Sequence, residues 1–346
     1  MIPSNLSTTF LALLALLALL ALPSAHAWGT LGHTTVALIA QNFLHPTTIA
    51  YTQRLLNDST PTYLANHATW ADSYRSTAEG AFTSVFHYID ALDAPPHSCE
   101  VIYERDCPEE GCIVSALANY TERVRDEELG WDDRNKALKM IIHFTGDIHQ
   151  PLHTENTAVG GNRINTTFDG RAGNLHRVWD SSIIERLVGG FNMSFAQAWA
   201  FNLTTEIKHG EYRSRRRGWL KGMELEQPVG TAMVWANDAN DDVCTTVLPG
   251  GMEDVEGKEL GGTYYQSAVP AVKSEVAKAG YRLAAWLNLI ATGQSRLPKG
   301  PKMHKRNPQP ANVLPGQEFE WTAAMLEKRL AVRAARAEAE LHGHEC

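Results

Sequence analysis

Helical spacing of apolar residues, with little competing alternation, is what most narrows the folds open to this chain. In "TTVALIAQNFL" (34–44) apolar side chains recur every three or four residues until His45-Pro46 stops the pattern. "IVSALANYTERVRDEEL" (113–129), "RNKALKMIIHFTGDIH" (134–149), "NMSFAQAWAFNLTTEIK" (192–208) and "AVPAVKSEVAKAGYRLAAWLNLIA" (268–291) repeat it. Few stretches alternate with period two, which argues against a large sheet. The expected fold class is therefore all-α, in one compact multi-helix domain. Two segments interrupt the helices. Ala91 to Gly111 reads as a Pro- and Cys-bearing loop, and 157–175 as a Gly- and Asn-rich loop with room for a short hairpin. There is no internal repeat.

The two ends differ from the middle. Residues 10–22, "FLALLALLALLAL", form an apolar run of 13, too short to span a bilayer and right for the core of a signal peptide. Ala25-His26-Ala27 fits the small-x-small cleavage rule, although no Lys or Arg precedes the run. Residues 1–27 are expected to be a signal peptide and the mature, secreted protein to begin at Trp28. No second stretch is long enough for a membrane anchor. The working domain is expected over 28–295. Beyond it the composition turns polar, basic and Pro-rich, with a charged helix candidate at 319–340. Residues 296–346 read as an appendage, mobile or trimmed.

The chain carries a net −8; residues 296–346 hold nine Lys/Arg and six Glu, a net +3, so 28–295 sum to −11. An acidic domain excludes bulk electrostatic attraction to nucleic acid unless bound cations supply the positive charge. Of five cysteines, Cys99, Cys107, Cys112 and Cys244 lie in the domain and suggest two disulfides, with three pairings open. Cys346 ends the chain. Asn57, Asn119, Asn165, Asn192 and Asn202 head glycosylation sequons and are expected on the surface. "RSRRRG" (213–218) reads first as a solvated loop or protease-sensitive site, and second as a nucleic-acid patch.

"HFTGDIHQPLH" (143–153) is dense in metal ligands. His143 and Asp147 are four apart, about 40° around a helix, and share a face; His149, about 240° from His143, points elsewhere. Pro151 ends the helix and frees His153 to turn back. "HRVWD" repeats the device with His176 and Asp180. Upstream, "WADSYR" offers Asp72 and Arg75, and "FHYID" offers His87 and Asp90. Any one histidine alone reads as a core or surface residue. Eight His/Asp positions in compact motifs read as a metal site, and imidazole with carboxylate is what zinc accepts where no thiolate is free.

The order Trp28, His33, Asp72, His87, His143-x3-Asp147-x5-His153, His176-x3-Asp180 resembles the S1/P1 nuclease family of secreted zinc enzymes. "WANDANDDVC" and "AGYRLAAWLN" resemble it too, and the likeness runs from Trp28 to about Ala291. The resemblance implies a nearly all-helical fold, shared with zinc phospholipases C, and three Zn2+. Asp72, His87, His143 and Asp147 would hold the first. Asp147 would bridge to a second, held also by His33 and by the amine and carbonyl oxygen of Trp28. His153, His176 and Asp180 would hold the third. Cleavage before Trp28 then has a chemical reason, because the freed amine is itself a ligand. The ions would concentrate positive charge in one cleft.

The activity implied is hydrolysis of single-stranded DNA and RNA to 5′-phosphate products, with 3′-nucleotides also used. Arg75 would neutralise charge on phosphorus. Tyr88 and Val159 would sandwich a base that Asp90 hydrogen-bonds, a contact open to any base and closed to duplexes. The resemblance further implies Cys99–Cys244 and Cys107–Cys112 disulfides. No obligate protein partner is evident. A zinc phospholipase C would want an apolar lipid-binding rim in place of a base pocket. A non-enzymatic zinc scavenger would carry its ligands in flexible His-rich tracts rather than in amphipathic helices.

Overall fold

The computed structural model describes residues 28–295 and Leu297. The signal-peptide stretch, the appendage with its helix candidate, and Cys346 lie outside the described residues. Among the described residues, seven helices of eleven or more residues form the frame: α1 (Gly29–Gln41), α2 (Pro46–Leu56), α3 (Ile113–Arg125), α4 (Trp131–Asp147), α5 (Met193–Lys208), α6 (Pro228–Asp242) and α7 (Thr263–Thr292). The expected all-α class holds, and no described helix is long and apolar enough to cross a membrane.

Local chemistry sets the helix ends. Pro46 opens α2 behind His45, whose ring Nδ1 accepts from the Thr47 amide. Asn192 caps α5 by accepting from the Ser194 and Phe195 amides. Gly293, left-handed at φ 68°, stops α7. Three boundaries differ from the sequence pattern. α3 stops at Arg125, because Asp126 turns extended and accepts from the Glu128 amide. α4 starts at Trp131, with Asp132 and Asp133 favourably placed at its positive end. α7 begins at Thr263 and takes Pro270 inside it.

α7 is the central element. Val272, Val276, Ala277, Ala284 and Leu287 are fully buried along it, and it packs on α1, α2 and α4. Its crossing with α1 is close enough that a Cβ at Gly280 would lie 2.5 Å from the Ile39 side chain. α1 is flanked by α7 and α5, while α4 lies against α2 and α3. The contact of α1 with α4 brings their polar ligand residues together inside an apolar shell.

The 157–175 loop contains the hairpin that the sequence allowed: β1 (Asn165–Phe168) pairs antiparallel with β2 (Arg171–Asn174). Its two-residue Asp169-Gly170 turn has both φ values positive, as a primed turn requires. The 91–111 loop is not wholly irregular. One helical turn, Tyr103–Asp106, forms around the buried Asp106 carboxylate, which accepts from the Leu92 and Ile102 amides. Cys99–Cys244 ties this loop to the end of α6, and Cys107–Cys112 closes it before α3, the pairing the resemblance implied. By loop entropy these cross-links contribute about 5 and about 2 kcal/mol. All five sequon asparagines are exposed.

Candidate metal centre

Eight His/Asp side chains converge from six separate segments, and none is more than 6 % exposed. His33 comes from α1 and His143 with Asp147 from the last turns of α4. Asp72 sits on the short helix Trp70–Arg75 and His87 ends the 3-10 stretch Ala81–His87. His153 lies on the 3-10 turn Pro151–Thr154 that follows the break at Pro151. His176 and Asp180 lie where the turn Leu175–Arg177 runs into a π-helical turn, Val178–Ser182.

Two groups result. In the first, His87 Nδ1 and His143 Nε2 lie 2.9 and 3.2 Å from Asp147 Oδ2, while His33 Nε2 lies 3.0 Å from Asp147 Oδ1. One carboxylate thus turns a different oxygen to each set. Asp72 Oδ1 is 3.5 Å from His143 Nε2 and 3.9 Å from His87 Nδ1. In the second group, Asp180 Oδ2 is 3.3 Å from His176 Nε2 and Oδ1 is 4.0 Å from His153 Nε2. His33 with Asp72 and His143, His87 with His143 and Asp147, and His153 with His176 and Asp180 each gather their ligand atoms within 4.8 Å.

The donor set fits zinc. His143, His153 and His176 each donate Nδ1–H to a main-chain carbonyl, of Ala68, His87 and Gly160. That fixes the tautomer and turns each Nε2 lone pair inward, the usual support of a metal-binding imidazole. His33 Nε2 and Asp147 Oδ1 are close without hydrogen-bond geometry, and both are buried. A cation held by both satisfies these two atoms together. Nitrogen and carboxylate oxygen without thiolate is also a zinc donor set.

The charges point the same way. Burial, then the neighbouring His143, push His33 down. Burial, then Arg75, push His87 down to about 3. Burial also opposes charge on His143, but Asp147 and Asp72 outweigh it and raise this imidazole to about 9. The first group therefore draws one positive charge, and takes it up as a proton on His143. Burial raises Asp180 well above the usual carboxylate range, so an electropositive neighbour is needed for it to ionise.

Trp28 is fully buried at the head of α1, in a left-handed conformation, and its carbonyl accepts from the Gly32 amide at 2.9 Å. Arg75 lies one turn from Asp72, with Nη2 3.4 Å from Asp72 Oδ1, and is partly exposed. Tyr88 and Asp90 are half-buried and line one small groove beside Arg105 and Cys112. Val159 does not line it. It is almost fully buried in a run of left-handed residues, Ala158 to Gly161, whose Gly160 carbonyl orients His176. A β-branched residue at φ 62° is strained, a cost typical of sites where geometry matters. His149 points away from the ligands, as its angle predicts, and meets Arg282 at 3.0 Å.

Sequence reasoning missed two supports. Gln150 donates Nε2–H to Asp180 Oδ1, joining the two ends of the second group. Gly146 lies against His33: a Cβ there would sit 2.6 Å from the ring Nδ1. The glycine inside "HFTGD" was the available signal, since a glycine in a helix interior marks close approach.

A family model described as S1/P1 Nuclease matches residues 28–292. The chain is 47 % identical to Nuclease S1 of Aspergillus oryzae over 270 residues, covering 78 % of this chain and 94 % of the relative. It is 46 % identical to Nuclease P1 of Penicillium citrinum over 263 residues, covering 76 % and 97 %. Endonuclease 2 of Arabidopsis thaliana is 31 % identical over 283 residues, covering 78 % and 92 %.

Proposed function

The chain belongs to the S1/P1 nuclease family and is a hydrolase of phosphodiester bonds, and from that premise we propose a secreted, three-zinc endonuclease. Its substrates in this reading are single-stranded DNA and RNA, cut to 5′-phosphate products, together with 3′-nucleotides. The observation that carries the reading is the division of Asp147, with Oδ1 on His33 and Oδ2 on His87 and His143. That split suits a bridging carboxylate. Asp72, His87, His143 and Asp147 would hold one ion. Asp147, His33 and the amine and carbonyl oxygen of Trp28 would hold another, and His153, His176 and Asp180 a third. Bound zinc supplies Lewis acidity, acidifying water and neutralising charge on phosphate and leaving oxygens.

The chain's own residues do the rest. Arg75, on the helix that carries Asp72, offers its planar fork to a phosphate oxygen where charge develops. Asp90 accepts from a base N–H and Tyr88 stacks on the base face, while Val159 acts at one remove, in the left-handed run whose Gly160 carbonyl aims His176. Stacking tolerates any base, and a duplex hides the faces it needs. The Trp28 amine requires removal of residues 1–27, which fits a secreted route. Five exposed sequons and two disulfides favour the same compartment. The burial of the ligands speaks against a scavenger, whose ligands would be exposed.

The test compares single- and double-stranded oligonucleotides, identifies the product ends and counts zinc by elemental analysis. Three zincs per chain, preferential cutting of single strands and 5′-phosphate ends are expected. Products ending in 3′-phosphate, or lecithin hydrolysis without nucleic-acid cleavage, overturn the reading. A protein extended by Gly-Ser ahead of Trp28 is expected to lose about one zinc and most activity, because an amide nitrogen has no available lone pair.

A further inference from the structure

Outside the metal centre, one concentration of positive charge among the described residues is the turn after α5. His209, Arg213, Arg216 and Arg217 line an open groove there with no carboxylate in its lining. Arg216 is committed to the fold, donating Nη1–H to the Ile207 carbonyl. Arg215 pairs with Glu211 at 3.4 Å. Arg213 and Arg217 are exposed and enter no ion pair among the described residues. Against a domain of net −11, this is a local reversal of sign.

An exposed aromatic ring precedes it on α5. Phe201 is 71 % exposed on α5. Lys208 is seven residues on and about 20° away around the helix, and the next residue, His209, opens the groove, so the ring stands about 12 Å of helix before it. Asn202 is turned about 100° from Phe201, so a glycan there leaves this face open. Basic side chains together with an exposed ring within a few nucleotides' reach are the elements that hold single-stranded nucleic acid without sequence preference. The groove is remote from the metal centre. Asn42, at the end of α1, donates to Thr204 of α5, which sets this end of α5 nine residues, about 13 Å of helix, beyond His33.

We propose that the groove of Arg213 and Arg217, with Phe201, is a second binding site for single-stranded nucleic acid, gripping long substrates away from the point of cleavage. The proposal rests on the nuclease reading above and extends it. The two guanidiniums take phosphates and Phe201 takes a base face. Dinucleotides, too short to reach, gain nothing from it.

The test is steady-state kinetics of the mature enzyme on a dinucleotide and on a strand of about 30 nucleotides across a salt series. R213Q/R217Q is expected to lower kcat/KM for the long strand about tenfold at low salt. It is expected to flatten the log–log salt slope by about 1.4, near 0.7 for each lost phosphate contact. Phe201→Ala is expected to lower the long-strand value about fivefold with the slope unchanged, because stacking carries no charge. Both variants keep the wild-type value on the dinucleotide. Equal losses on both substrates, or unchanged long-strand kinetics, overturn the proposal. So does loss of adsorption to phosphatidylserine vesicles with strand kinetics intact, which assigns the groove to a lipid surface. A wild-type enzyme that cuts neither substrate defeats the nuclease reading instead, and is thereby told apart.

Discussion

His143 and Asp147 stand on an unbroken helix, four residues apart, whereas His153, His176 and Asp180 stand on a 3-10 turn, an α-turn and a π-turn. The helix presents its pair by its own period. The irregular group needs outside support at every position. The His87 carbonyl aims His153, the Gly160 carbonyl of a strained left-handed run aims His176, and Gln150 holds Asp180. In the first group the Ala68 carbonyl aims His143, while His33, His87 and Asp147 meet one another directly. In the second the supports matter nearly as much as the ligands.

Asp147→Ala sharpens the contrast most. If the carboxylate serves two ions, its loss removes more than one zinc per chain and lowers kcat/KM by orders of magnitude. Asp180→Ala is expected to remove one. Elemental analysis of both variants decides, and an Asp147→Ala protein that retains three zincs breaks the bridging assignment. Gln150→Ala removes no proposed ligand, only the hydrogen bond to Asp180. It is expected to weaken one zinc by about 10- to 100-fold, the usual cost of an orienting partner. Competition with a chelator measures it, and full affinity would show that the irregular group needs no support.

Gly146→Ala probes the helical side. The new Cβ meets the His33 ring, so a cost of about 1–3 kcal/mol and a lower Tm are expected. A variant as stable as the parent would show slack between α1 and α4. The smallest effect concerns protons. In the metal-free protein His143 is held at about 9, so it is charged at pH 7, and an ion that uses its Nε2 must displace that proton. Affinity at the first group therefore rises with pH up to about 9 and flattens above it. Calorimetry at pH 7 in buffers of different ionisation enthalpy should find about one proton released on His143's account. No release would mean that His143 is already neutral.

Helical class, the shared face of His143 and Asp147, the outward turn of His149 and room for a short hairpin in the Gly- and Asn-rich loop were all legible in order and spacing. Each depends on contacts within a few residues, which a local period captures. The resemblance in ligand order also named the eight convergent side chains and both disulfide partners. The tertiary structure alone decided which oxygen of Asp147 faces which histidine, because α1 and α4 meet across more than a hundred residues of chain. It also decided which main-chain carbonyls aim the imidazoles, that Gln150 ties 150 to 180, and that Gly146 makes room for His33. A carbonyl is the same in every residue, so no sequence marks the one that will accept. What picks it out is the packing of segments far apart in the chain.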